Sequence, residues 1–205
     1  KNYDRIAQVM QNQTFNGEVG TQYSVPYLMG NELRRTYGSD FKNVSMASWT
    51  NNHILAYGDK KISKGGNFYE PQVIDMFSIR MLKGTRTALN DYNSLILSSS
   101  TAKALFGRED PMGKIVKIDN GFDVRVTGVY EDFPYNSDLN NLTFIAPWQL
   151  YIDSDNWPEK TTNPWRNNSF QTVVQLADNA DANKISAKIK DVRLRNIAAT
   201  DTQYK

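Results

Sequence analysis

The sequence predicts an α+β fold, and three observations predict it. Short helix-like and strand-like segments interleave along the chain, with no long run of either kind. A serine-capped segment that stops at Gly107 sits between two strand-like runs. Asn120-Gly121, the strongest short-range hairpin signal, separates two alternating segments. The 205 residues are 40% hydrophobic and 22% charged, which is enough apolar material for a packed core and excludes wholesale disorder. Domains commonly hold about 100–200 residues, so the length accommodates one domain or two small ones.

Taken in order, residues 3–10 (YDRIAQVM) place Ile6, Val9 and Met10 on one helical face. Ser24 caps a second helix with Pro26 in its first turn and a stripe of Leu28, Met29 and Leu33; Gly38 offers a left-handed stop. Residues 44–49 and 53–57 read as strands, and Gly58-Asp59 as the turn into 60–63. Pro71 starts a short helix within 68–78 that turns Val73, Ile74 and Phe77 inward, and 79–82 returns as a strand ending at Gly84.

Residues 95–97 form a buried strand, and Ser98 or Ser99 caps a helix that runs through Phe106. Beyond it, 114–119 and 122–129 are the two arms of the hairpin. Phe122, Val124 and Val126 alternate with Asp123, Arg125 and Thr127, giving one core face and one wet face. Residues 142–146 read as a strand and 147–151 as the start of a short helix. Residues 153–168 are a polar loop holding Trp157 and Trp165, and 170–176 is a further strand. Asp181 caps a last helix through Ile185, Ile189 and Val192 toward Ile197.

The chemistry is narrowed mainly by exclusion. A net charge of +2, with dispersed basic residues, gives no electrostatic footprint for nucleic acid. The absence of cysteine removes disulfides, thiolate zinc sites and cysteine nucleophiles together, and fits a compartment such as a bacterial periplasm. No run of about 18 apolar residues is available to span a bilayer. The chain opens at Lys1 without methionine and closes at Lys205 in a polar stretch, so it reads as a piece of a longer protein.

His53 is the single histidine, too few for a histidine-based zinc site, and it reads as structural. Glu109-Asp110 and Glu131-Asp132 could suggest acid/base work, but adjacent strand residues point to opposite faces. Asp110 and Asp132 occupy ordinary turn positions. Neither a P-loop nor a G-x-G-x-x-G pattern occurs, and no cofactor is expected. Trp148, Tyr151, Trp157 and Trp165 form the one cluster that reads as a candidate partner surface, its alternative being a satellite core that pins a long loop.

The order of pieces also resembles a known family. Leu95-Ile96-Leu97-Ser98 is followed by Thr101 through Phe106-Gly107, then by Glu109-Asp110-Pro111-Met112-Gly113-Lys114. Val126-Thr127-Gly128-Val129 and Asp132-Phe133-Pro134-Tyr135-Asn136-Ser137 come next. Asn67-Phe68-Tyr69, Met76-Phe77-Ser78 and Met81-Leu82-Lys83-Gly84 precede them, and Tyr3-Asp4-Arg5-Ile6 is like the segment that follows a first membrane helix. Together these resemble the extracytoplasmic core domain of the MacB/FtsX-like permeases, membrane subunits of ABC transporters. The match is specific between 95 and 138 and fades beyond 150.

The resemblance implies a periplasmic domain of an inner-membrane protein, inserted between the first and second membrane helices. It implies two lobes: an α+β porter-like lobe, placed at residues 1–84 and 168–205, and a β-rich inserted lobe at 85–167. Phe106, Gly107, Pro111, Gly113 and Gly128 become structural motif residues. A cytoplasmic ATPase would supply the work, a permease dimer would transmit it, and a periplasmic adaptor or cargo would receive it. The expected role is therefore non-catalytic: coupling ATPase-driven motion to export or signalling. Two rival readings stay open. One is a secreted ligand-binding module, for carbohydrate among other ligands, using the loop from Trp148 to Trp165. The other is a hydrolase whose carboxylates meet from distant segments.

Overall fold

Residues 3–154 and 164–197 are described by the structure, a computed structural model. The chain divides into two units, 1–47 with 156–205, and 48–155. The expected lobe boundary at 84/85 thus falls inside the second unit. The reason is strand pairing: Asn51–Tyr57 and Lys60–Tyr69 form a hairpin, and the latter strand pairs in parallel with Phe144–Pro147. On the far side the break falls at 155/156 rather than 167/168.

In the first unit, Asn168–Leu176 is the organising strand. It pairs antiparallel with Ile6–Gln8 on one side and Phe41–Ala47 on the other, and with the short Val25–Pro26 near its start. The helix expected at residues 3–10 is therefore a three-residue 3-10 turn followed by a strand. A distant partner offers hydrogen bonds that local periodicity could not foresee. Pro26 likewise lies in a strand, and the helix begins at Met29 without a side-chain cap. Gly38 is not a left-handed stop: its φ is −55° and the chain passes into a 3-10 turn.

Helix Met29–Tyr37 packs Met29 and Leu33 onto the sheet beside Val44, Val174 and Leu176. Asp181 caps Ala182–Ile189 as expected, accepting from the N–H groups of Asn183 and Lys184. The helix then breaks and a second short one, Val192–Asn196, follows. Ile185, Val192 and Ile197 all still reach the same core. A two-stranded hairpin, Gln11–Phe15 with Glu18–Gln22, was not foreseen, because its polar arms carry no alternation. Its turn is Asn16-Gly17, both at positive φ.

The second unit is a closed six-stranded barrel. Around the ring, Lys60–Tyr69 pairs with Phe144–Pro147, then come Ser94–Ser98, Phe122–Tyr130, Ile115–Ile118 and Asn51–Tyr57, which returns to Lys60–Tyr69. Closure leaves none of the six with an unpaired edge. Parallel and antiparallel pairs alternate irregularly, and Met81–Lys83 adds a short outer pairing to Phe122–Tyr130. Leu55, Phe68, Leu95, Leu97, Val116, Ile118, Val124, Val126 and Phe144 form the core. Helix Ser99–Phe106 packs against strands from several parts of the ring and adds Ala102, Leu105 and Phe106 to that core.

The Asn120-Gly121 signal locates the hairpin correctly, with a one-residue offset. The residues at positive φ are Asp119 and Asn120 (49° and 58°), and the Gly121 N–H donates to the Ile118 carbonyl at 2.9 Å. This is a type I′ turn centred on Asp119-Asn120. Asp119 is held there by its neighbours, since its carboxylate accepts from the Ile54 N–H at 2.8 Å.

Candidate functional site

The segment from Phe106 to Lys114 buckles onto the barrel. Phe106 is buried and packs 4.6 Å from the Tyr57 ring. Gly107 ends the helix at φ +63°, its N–H donating to the Lys103 carbonyl. Pro111 is buried and opens a tight turn whose third residue, Gly113, sits at φ +76°. The Lys114 N–H donates back to the Pro111 carbonyl at 3.1 Å. That is the type II geometry, which only glycine adopts without strain at this position. The turn then docks on the strand Phe122–Tyr130. The Gly113 N–H donates to the Val126 carbonyl at 2.8 Å, and the Val126 N–H to the Lys114 carbonyl at 2.9 Å.

Gly128 serves a close approach instead. A Cβ there would stand 2.5 Å from Met81 Cε and 3.0 Å from Ile96 Cγ2, where the strand shifts register. All five motif residues thus lie in the barrel unit, in its buckle or its wall.

The acidic pairs are occupied. Glu109 accepts from the Tyr57 hydroxyl at 3.1 Å and pairs with Lys114 at 3.2 Å. Asp110 pairs with Lys83 at 2.9 Å and accepts from the Met112 N–H. Lys114 and Tyr57 hold Glu109, and Lys83 and the Met112 amide hold Asp110, below the ordinary carboxylate range. Glu131 pairs with Arg80 at 2.9 Å. Asp132 caps the helix Ser99–Phe106 from outside: it accepts from the Ser100 N–H at 3.0 Å and from the Ser100 hydroxyl. Burial raises its pKa, but hydrogen bonds from Ser100, Ser98 and its own N–H together outweigh it and the net shift is downward. Each of the four carboxylates is thus engaged by a cation, a hydroxyl or a backbone N–H.

His53 bonds through Nδ1 to Asp119 and lies edge-on to Phe68 and Phe144 at 5.7 and 5.5 Å, a packed position. Among the described residues, no group of three or more His, Asp or Glu side chains gathers to hold a metal ion, and no helix is long and apolar enough to cross a membrane.

The aromatic cluster expected from the sequence divides. Trp165 is buried (8% exposed) in the core of the first unit, beside Leu33 and Val174. Trp148, 6% exposed, belongs to the barrel unit and stacks on Tyr151 at 5.9 Å. Trp157 lies outside the described residues. Trp148 and Tyr151 are brought together, on the helix Trp148–Ser154.

Beside Tyr151 is a cavity of about 440 Å³, lined also by Tyr92, Gly121, Phe122, Leu150, Asp153 and Ser154. Burial first, then the charge and hydrogen bond of Asp153, raise the pKa of the Tyr92 hydroxyl. Tyr92, Phe122 and Asp153 come from three separate segments, and no spacing signal joins them. A second cavity of about 490 Å³ is lined by Thr50, Asn51, Asn52, Gly65, Asp138, Leu139, Asn141 and Leu142.

Comparison with known proteins places this architecture. The chain is similar to a domain assigned to a permease protein of Porphyromonas gingivalis, with 19% identity, a TM-score of 0.78, and coverage of 97% of this chain and 84% of that one. It is similar to the periplasmic region of MacB from Actinobacillus actinomycetemcomitans, with 19% identity, a TM-score of 0.66 and coverage of 92% and 82%. The extracellular domain of the noncanonic ABC-type transporter YknZ from Gram-positive bacteria matches at 18% identity and a TM-score of 0.63, with coverage of 95% and 97%. At these identities the structural likenesses establish the fold. No curated protein matches the sequence. The sequence profile of the MacB-like periplasmic core domain family, by contrast, matches residues 1–192. The chain therefore belongs to the MacB-like periplasmic core domain family, the extracytoplasmic domains of ABC-type permeases.

Proposed function

We propose that this domain is a non-catalytic transmitter, moving as a body with a permease dimer and coupling cytoplasmic ATP hydrolysis to export or signalling across the envelope. Permeases of this family work with a cytoplasmic ATPase. The observation that carries the reading is the family match across residues 1–192. The barrel supports it physically. A ring without free edges, buckled by the Phe106–Lys114 segment, resists local opening and suits rigid-body transmission. Engagement of Glu109, Asp110, Glu131 and Asp132 in ion pairs and caps argues against the hydrolase reading. An adaptor or a cargo molecule is the receiving partner.

Spin-label distances in the full-length permease, with its ATPase, in nanodiscs test this directly. These 205 residues hold no cysteine, so Tyr135→Cys, at a position 94% exposed, places one label per copy once any cysteines elsewhere in the permease and in the ATPase are replaced. The expected result is a dipolar coupling between two copies whose distance distribution shifts on trapping with ATP and vanadate. A distribution unchanged while ATP turns over, or no coupling at all, sinks the proposal.

A further inference from the structure

The cavity beside Tyr151 is walled by rings and carries one charge. Tyr92, Phe122 and Tyr151 line it together with the Asp153 carboxylate, and among the described residues none in its lining is basic. The walls are braced from behind. Phe122 packs edge-on to the buried Phe68 at 5.9 Å, and Tyr151 lies 5.1 Å from Phe68 and stacks on the buried Trp148. Gln149 Nε2 donates to Asp153 Oδ1 at 2.6 Å, and the Tyr92 hydroxyl faces the same carboxylate. Phe122, Tyr151 and the Asp153 carboxylate are thus ordered before any ligand arrives, which lowers the entropic cost of binding.

We propose that this cavity binds an organic cation, an ammonium or guanidinium group carried by a small molecule or by a basic peptide side chain. Aromatic rings attract cations through their quadrupoles, and the attraction grows when the cation is desolvated. A carboxylate accepts up to about four hydrogen bonds, so Asp153 retains acceptor capacity beyond Gln149 and Tyr92. A neutral sugar is the poorer fit, because it gains less than a cation from the Asp153 charge, and no asparagine, glutamine or arginine is among the described lining residues to add hydrogen bonds. Those groups line the other cavity, as Asn51, Asn52 and Asn141, where no aromatic ring takes part. The inference stands apart from the transmitter reading: it concerns what one wall of the barrel unit recognises, not how the domain moves.

The test is a titration of the 205-residue chain followed by amide chemical shifts. Choline is compared with its neutral isostere 3,3-dimethylbutanol, and N-acetylarginine amide with N-acetylcitrulline amide. At least one cation should shift Gly121, Tyr151 and Asp153, with its neutral isostere about tenfold weaker or more. Asp153→Asn and Tyr151→Ala should each weaken the cation about tenfold, whereas Asn141→Ala should not. Binding of choline alone assigns the source to small molecules, and of the arginine compound alone to a peptide side chain; either supports the site. Silence from both cations, or equal binding of a cation and its isostere, overturns it. That comparison uses the unaltered protein, so it decides the matter even if a variant fails to fold.

Discussion

The two units are assembled over different sequence distances, and the difference governs what local sequence can specify. The barrel is drawn from one continuous stretch, residues 48–155, and its ring closes on itself. The first unit gathers its sheet from three early segments and one late strand; Thr172 bonds to Met46 from 126 residues away. Every strand of the barrel ring has two partners fixed by closure. In the first unit, Ile6–Gln8 depends on a single strand that comes far later in the chain.

The largest expected effect comes from removing one aromatic core residue from each unit. Phe144 is fully buried, its ring filling the space where a Gly66 side chain would otherwise sit. Phe144→Ala should cost about 3–5 kcal/mol in urea unfolding. It should also strip amide protection from residues 48–155 while sparing Asn168–Leu176. Trp165→Ala should cost a similar amount, about 3 kcal/mol or more, with the opposite pattern of protection. If either variant loses protection evenly along the chain, the two units are one cooperative structure and the comparison fails.

A smaller change sharpens the account of the barrel wall. Gly128→Val presses against Met81 and Ile96 in a strand flanked by Ser94–Ser98 of the ring and by the outer Met81–Lys83. Overpacking of this kind costs about 1–3 kcal/mol. Met81→Ala in the same chain should recover part of the loss, because the nearest obstacle is the far end of the Met81 side chain. An unchanged unfolding midpoint for Gly128→Val would mean that the wall yields, contrary to a rigid ring.

Legibility from the sequence follows the same division. In the barrel, Ser98 caps its helix, Gly107 ends it, and Phe122 to Thr127 alternates as read. Each of those features rests on groups a few residues apart. Asn120-Gly121 marked the hairpin because alternation flanked it. Asn16-Gly17 carries the same dipeptide and also turns a hairpin, yet its polar arms gave no period to read. Residues 3–10 had helical spacing and became a strand, since their partner is too distant for periodicity to register. The motif glycines were legible as residues with backbone duties. The cavity of Tyr92, Phe122, Tyr151 and Asp153 was not, because closure of the barrel alone brings those segments together. Of the aromatic surface, the pair on one helix was readable; the burial of Trp165 was set by the other unit's core.

The smallest effect tests whether local capping is as strong in the barrel as its legibility suggests. The helix Ser99–Phe106 has its first-turn N–H groups met from two directions: Thr101 donates to Ser98 Oγ and Ser100 donates to Asp132. Ser98 is the local cap, while Asp132 arrives from beyond the hairpin. The Asp132 pKa is lowered in the folded chain, so its contribution is fully present above the unfolded carboxyl value of about 3.9. It is lost as the pH falls through the lower folded value. Asp132→Asn should therefore cost about 0.5 kcal/mol at pH 7, as a charge at a helix N-terminus does. The gap between variant and parent should close as unfolding is measured from about pH 5 down to about pH 2. A gap that persists in acid would show that the amide–carboxylate difference acts through packing. In that case the charge of Asp132 would add nothing to this helix start, and the cap at Ser98, a few residues away in sequence, would be what meets its N–H groups at any pH.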